Sequence, residues 1–443
     1  MIEVAQPSIH VSNFALLQQA PAPWLDALRR AAIARFAELG FPTTRDEEWQ
    51  YTNVAPVART AFRPAPRESG LGVRERVAAL SLPELQCTEL VFVNGRFARD
   101  LSTLGTLPRG VEIGDLASVL AREPERLEKY LGSLAPYRNR AFVALNTAFV
   151  EDGAFLRVPA GTVVASPIHL VFASNPPGFE TVSHPRNLVI LEPGSQATIV
   201  ASYAGPDGIP YLTNTVTEVF AGERAVLAYC KLDQEGAKAF HFATLEIEQA
   251  ASSNVTTHAI SLGGALVRND VNVRLAGAGA ECSLNGLYLA SGRQHVDNHT
   301  TIDHAEPHGT SRELYKGILD GKASAVFNGR IVVRRDAQKT AARQTNKNLL
   351  LSEEAVINTK PQLEINADDV KCNHGATIGQ LDPAVLFYLR SRGIGYHDAR
   401  NLLINAFGSE IIEGIAVKPL HCQLDLAVVT RLSRGQRGQE VVV

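Results

Sequence analysis

Cys372 and His374 stand two residues apart in KPQLEINADDVKCNHGATIGQLDPAVLFYLRSRGI, residues 360–394, and offer a thiol and an imidazole that suit soft or borderline metals. On an extended strand, side chains two apart point the same way about 6.8 Å from each other, within reach of one metal or one cluster edge. Two ligands cannot close a tetrahedral site, so the pair reads as half of a site completed by a partner chain. Asp368 and Asp369 could add oxygen ligands, and a solvated acidic corner explains them equally well. The plainer alternative for the pair is a buried thiol beside a hydrogen-bonded histidine.

A second group of ligand types is His295, His299, His304 and His308 in SGRQHVDNHTTIDHAEPHGTSRELYKG. Imidazoles four apart on a strand share a face at about 13 Å, too far for one ion unless the chain turns, as Asn298 or Pro307 would allow. In a stacked coil, histidines and asparagines also align and hydrogen-bond to one another, which is the structural alternative.

The motifs of self-contained enzymes are missing. There is no GxxxxGK[ST]; Gly321-Lys322 lacks both the upstream glycine and the following hydroxyl residue. GxSxG, HExxH and a well-placed GxGxxG are also absent. The chain should therefore not hydrolyse nucleotides by a P-loop, and any catalytic role must come from elsewhere.

Three regions must position these residues. Residues 1–140 form a mixed helical region. Pro21 and Pro23 introduce a helix with Trp24, Leu28, Ala32, Phe36 and Leu39 near one face, ended by Gly40. Thr44 and Glu47 match a capping box. ELVFVNGRF reads as a hairpin about its Asn-Gly turn, and residues 115–132 read as helix. From 141 to 380 short runs such as AFLRV, IHLVF, NLVIL, QATIVAS, NTVTEVF and AVLAY recur between Gly, Pro, Asn and Asp. Periodicity does not separate sandwich, propeller and solenoid. Short strands without a blade signature, with small residues at corners as in EPGSQA and LAGAGAEC, favour a β-solenoid with capped ends. Residues 381–443 return to helix. There Asp382 and Pro383 start a segment in which Val385, Leu386 and Leu389 form a stripe ending at Gly393. Leu386, Phe387 and Leu389 exceed what one bundle face needs, so they either dock a partner or cover the last coil.

The 443 residues are 45% hydrophobic, enough for real cores and against disorder. With 43 basic and 46 acidic residues the formal charge is -3, which gives no reason to expect nucleic acid or an anionic membrane as partner. No apolar run approaches the roughly 20 residues of a membrane helix. MIEVAQPSIH lacks the features of a secretory signal. Five scattered cysteines without CxxC fit a reducing cytoplasm better than a disulfide framework.

Four segments carry a family likeness: FPTTRDEEWQYTNV, HVDNHTTIDHAEPHGTSRELYKG, FNGRIVV with QTNKNLLLSEEAVINTKPQLEI, and DDVKCNHGATIGQLDPAVLFYLRSRGI. Together, in this order, they resemble the SufD family, scaffold subunits of the SUF (SufBCD) iron-sulfur cluster assembly machinery. The resemblance implies a right-handed parallel β-helix core flanked by an N-terminal helical region and a C-terminal helical domain. It implies pairing with the paralogue SufB through the β-helix, and docking of the ABC-type ATPase SufC on the C-terminal helices. Leu386, Phe387, Leu389, Arg390 and Arg392 would lie on that docking face. His374 would be the interface histidine, facing a SufB cysteine where a transient iron-sulfur cluster forms between the two subunits, with Cys372 as its neighbour. Asn373 and Gly375 flank His374 where SufB has acidic residues, which favours SufD. The sulfur-accepting role belongs to SufB, and Cys230 and Cys282 read as small buried hydrophobes. Reduced flavin on the complex, a homodimer of the isolated chain, and ligand or buried thiol for Cys372 stay open. Two other readings compete: a stand-alone metal-binding β-helix protein using His295 to His308, and a β-helix enzyme acting on polysaccharide with paired acids.

Overall fold

A computed structural model describes residues 9–66, 72–82 and 87–437. Between Ala154 and Gly379 successive strands alternate between two sheets, except that Thr181–Ser183 and Arg186–Leu191 both lie in sheet A, and each pairs in parallel with the strand one turn later. Sheet A runs from Ala154–Val158 to Val356–Ile365 and sheet B from Ile168–Ala173 to Lys371–Gly379, making a parallel β-solenoid of about 8 turns.

The sequence builds this wall by strict alternation. In Glu281–Ala290, Cys282, Leu284, Tyr288 and Ala290 lie in the central core between the sheets, while Leu287 and Leu289 pack outward beneath the C-terminal helices. Both faces are covered, so both are apolar. Stacking turns places like positions in columns: Cys282, Ser311, Ala342 and Cys372 are register neighbours, as are Leu284, Glu313, Gln344 and His374. Large rings fit the narrow lumen where the neighbouring turn has glycine. Gly286 adjoins Tyr315 and Gly317 adjoins Tyr288, and a Cβ at either would stand 2.2 Å from that ring.

The outer faces are covered unequally. Leu25, Leu116, Leu120, Leu127 and Leu131 close over Phe155, Leu188 and Ile190 of sheet A. The helices Tyr396–Ile412 and Pro419–Arg437 lay Ile404, Ile411, Leu420 and Leu424 on Cys230, Ile260, Leu287, Ile318 and Leu349 of sheet B. Each such side chain contributes about 1.5–3 kcal/mol on burial, so the C-terminal helices are an integral cover of sheet B.

Several local expectations change. The helix Pro23–Leu39 buries Leu25, Arg29, Ala32, Ile33 and Phe36, a face rotated from the expected one. Arg29 donates to the carbonyls of Val150 and Gln18, satisfying backbone that would otherwise be orphaned. The Thr44/Glu47 capping box does not form. Asp46 accepts from the Thr43 backbone N–H at 2.7 Å, and Glu47 pairs with Lys360 at 2.9 Å. The expected hairpin is present, with Phe92 opposite Phe97 and a left-handed turn at Asn94 and Gly95. Its first strand, Thr88–Val93, extends sheet B by pairing with Ile168–Ala173, while Ala141–Ala148 is helical. The segment 115–132 is helical over Leu116–Arg122 and Pro124–Arg126.

Candidate functional site

The last turn of the solenoid is a strand pair with one side open. Val356–Ile365 pairs with Ser324–Val333 and Lys371–Gly379 with Ala341–Leu350, and neither strand has a second neighbour in its sheet. Their free backbone groups form an edge that can accept another chain. Ile365 and Ile378 are exposed on it.

Cys372 and His374 both lie on this terminal strand. Cys372 is half-buried and packs on the end of the central core, and burial pushes its thiol pKa up. His374, two residues on, is exposed and has no hydrogen-bond partner among the described residues. Asp369 instead pairs with Lys339, and its backbone N–H donates to Gln338 at 2.9 Å. Among the described residues no three His, Cys, Asp or Glu side chains converge as a metal site. Any ion held at Cys372 and His374 therefore needs ligands from outside the described residues.

The histidine-rich segment is divided by strand alternation. On His295–His304 the first and fifth residues face out of sheet A, whereas His304 faces the lumen and bonds Ser311 Oγ at 2.9 Å. His295 lies between Thr52 Oγ1 at 2.8 Å and Ser324 Oγ at 2.7 Å. His299 sits between Asp297 at 3.0 Å and Glu48 at 3.1 Å. His308 is at a left-handed turn with φ 61°, one loop away. Burial lowers the pKa of His295, and that of His304 to about 4. Burial also opposes charge on His299, but the Asp297 and Glu48 carboxylates outweigh it and raise its pKa to about 9. Asp297 is likewise desolvated, yet His299 and Arg268 hold it well below the usual carboxylate range. Arg268 donates to Asp297 at 2.8 Å and to the Glu48 carbonyl at 2.7 Å, and stacks 3.8 Å from the Trp49 ring. The network fastens the segment Glu48–Thr52 to sheet A. The sequence reading assigned no role to Glu48, Trp49, Arg268 or Asp297. Their signal was the co-occurrence of a charged aromatic loop with a His/Asp strand, but 220 positions separate Glu48 from Arg268.

The helix Pro383–Ser391 begins as expected: Asp382 accepts from the Ala384 N–H at 2.8 Å, and Gly393 ends the segment in the left-handed region. No residue in it is buried. Leu386 and Leu389 are half-buried, Phe387 is 71% exposed and Tyr388 55%, and Arg390 and Arg392 lie over the rings of Tyr396 and Tyr388. Its neighbour Tyr396–Ile412 is tied to the wall instead. Lys316 donates to the Phe407 carbonyl at 2.8 Å and pairs with Glu410 at 2.5 Å, and Arg400 faces Asp320 at 3.6 Å. Cys230 and Cys282 are buried, one under these helices and one in the lumen, and burial pushes Cys230 up to about 12. Neither is placed for solution chemistry.

No helix among the described residues is long and apolar enough to cross a membrane. Residues 172–407 match the family described as SUF system FeS cluster assembly, SufBD core domain, and residues 8–170 match the SufBD protein N-terminal region. An iron-sulfur cluster assembly SufBD family protein of Synechocystis sp. is 38% identical over 91% of this chain and 90% of its own length. The iron-sulfur cluster assembly protein SufD of Escherichia coli is 31% identical, covering 91% and 92%. The chloroplastic protein ABCI7 of Arabidopsis thaliana is 33% identical, covering 88% and 82%. With a stacked-turn wall, an open last turn carrying a thiol and an imidazole, and matches along nearly its whole length, this chain belongs to the SufBD family of iron-sulfur cluster assembly proteins.

Proposed function

We propose that this chain is a non-catalytic scaffold of SufD type, which pairs with a SufB-type paralogue through the open last turn and lends His374 to a cluster assembled at the seam. The observation that carries this is the coincidence of the unpaired edge, Val356–Ile365 and Lys371–Gly379, with Cys372 and His374. An exposed edge, exposed isoleucines and an incomplete ligand set share one surface, and a second chain would satisfy all three. The iron-sulfur cluster is cargo, held between subunits and passed on; Cys372 stands beside it as a second thiol.

The energy source on this reading is an ABC-type ATPase of SufC type. It would dock on Pro383–Ser391, where Phe387 and Tyr388 are exposed and Arg390 and Arg392 flank them. Motion would pass through Tyr396–Ile412, clamped by Glu410 to Lys316 and Lys347, into the turns next to His374. Two docked ATPases closing on ATP would then shift the seam, a two-state device biased by nucleotide. A reducing compartment such as the cytoplasm suits the five free cysteines.

His374→Ala should leave folding and co-purification with the paralogue and ATPase intact. Cluster formed anaerobically on the complex from ferrous iron and sulfide should fall at least tenfold by absorption; a wild-type yield removes His374 from the role. Phe387→Asp should weaken ATPase capture about tenfold or more without moving the thermal midpoint. Truncation after Leu381 would be a poorer test, since it also strips the cover from sheet B.

A further inference from the structure

The column beneath His374 contains polar groups that the fold does not need. Leu284, Glu313, Gln344 and His374 are successive register neighbours along sheet B, at strand spacings of about 4.8 Å. The first is apolar core; the next two place a carboxyl and an amide, both buried, in the lumen. Gln344 Nε2 donates to Glu313 Oε2 at 2.7 Å. Gln344 Oε1 has no hydrogen-bond partner, and Glu313 Oε1 has only the nearby Thr300 hydroxyl without a well-formed bond, although both residues are almost fully buried. A buried carbonyl without a donor is costly, and its persistence calls for a reason.

The surroundings are shaped to hold this amide. The Gln344 side chain crosses the lumen to Gly329 of sheet A, and its nitrogen lies 2.2 Å from where a Cβ on that residue would be. Any side chain at Gly329 would displace it. The next turn outward from Gln344 carries His374, whose ring likewise has no partner among the described residues. The backbones of Gln344 and His374 are thus one strand spacing apart, one carrying a buried amide carbonyl without a donor and the other an exposed imidazole. A ligating imidazole ordinarily donates its second nitrogen's hydrogen to a carbonyl or carboxylate, which fixes the tautomer and the ring plane.

Building on the scaffold reading above, we propose that Gln344 is the positioning residue for His374: once a partner chain covers the lumen mouth, the Gln344 carbonyl oxygen accepts one imidazole N–H, Glu313 anchors the amide from behind, and the other ring nitrogen keeps its lone pair for iron at the seam. No bond is made or broken in this step except the hydrogen bond itself.

The test uses the complex of full-length chain, paralogous scaffold and ATPase, loaded anaerobically with ferrous iron and sulfide, with His374→Ala measured alongside. Gln344→Met keeps the length and shape of the side chain and removes both amide groups. It should lower cluster yield about tenfold, yet add no further loss in the His374→Ala background, because the two residues act as one unit. The exchange Glu313→Gln with Gln344→Glu keeps an acceptor oxygen next to His374 and a donor behind it, and should restore most of the yield. It also decides the matter if Gln344→Met does not fold. A wild-type yield from Gln344→Met, a loss that multiplies with that of His374→Ala, or no recovery in the exchanged pair would overturn the positioning role while leaving His374 as ligand. A wild-type yield from His374→Ala alone removes His374 from the seam and overturns this inference with it.

Discussion

The two ends of the solenoid meet water differently. At the N-terminal end the lumen is stoppered: Phe92 stacks on Phe172 with ring centroids 4.9 Å apart, and Phe97, Leu107, Val111 and Ile113 pack over the same core. The edge of sheet A is closed by an antiparallel strand, Glu112–Asp115, lying on Ala154–Val158. At the C-terminal end neither strand is covered, and Leu363, Val370 and Cys372 are only partly buried. One end is finished within the chain and the other is left open among the described residues. Near the closed end Arg186 and Glu218 are fully buried but saturated: the guanidinium pairs with Glu218 at 2.6 Å and also reaches Asn146 and Thr147, while Glu218 accepts from the backbone of Gly132, Leu134 and Ala135. Near the open end, Glu313 Oε1 and Gln344 Oε1 retain unused capacity, and His374 is exposed. A fully satisfied buried network such as that of Arg186 and Glu218 rigidifies the fold around it.

The comparison can be broken most forcefully at the closed end. Arg186→Met leaves Glu218 charged and buried without its counter-ion, and should cost about 3–5 kcal/mol in urea unfolding; a loss under 1 kcal/mol would mean this end is not the rigid one. At the open end, Ile378→Lys should weaken binding to the paralogous scaffold by about 2 kcal/mol, some thirtyfold, in calorimetric titration. Its own unfolding midpoint should change by no more than about 0.5 kcal/mol of stability. The smallest effect is a pH dependence between the ends. The folded-state pKa of His299 is raised to about 9, so its contribution is complete below the unfolded value near 6.5 and is lost as pH rises through 9. Stability should therefore decline between about pH 6.5 and 9 by on the order of 1–2 kcal/mol, discounted for the solvent around Glu48. His299→Gln should flatten that slope, and a variant with the wild-type slope would remove this residue from the latch.

Much of the architecture was legible because it is local. Short β-branched runs between Gly, Pro, Asn and Asp marked the solenoid, the Asn94-Gly95 turn marked its hairpin, and Asp382-Pro383 marked a helix start. The terminal position of Cys372 and His374 also followed from the strand-to-helix change after Gly379. The turn-to-turn repeat was harder to see, because a column such as Leu284, Glu313, Gln344 and His374 repeats a position and not a residue type. Arg29 was missed for another reason: a helical stripe read from apolarity alone passes over a guanidinium buried to serve backbone carbonyls. Similarly, His295 and His304 appear equivalent by composition, yet odd spacing sends them to opposite sides of sheet A.

By itself, the sequence determined the succession of strands and helices, the ligand types brought to the last strand, and the absence of a P-loop, since each depends on residues close together in the chain. The tertiary structure alone decided which end stays open, that the Glu48 loop is locked to Arg268 and His299, and that Gln344 lies behind His374 with an unused carbonyl. Those outcomes depend on register between turns about thirty residues apart and on which outer face each helix covers. Stacking fixes such relations through many weak contacts distributed along the chain, so no short segment encodes them.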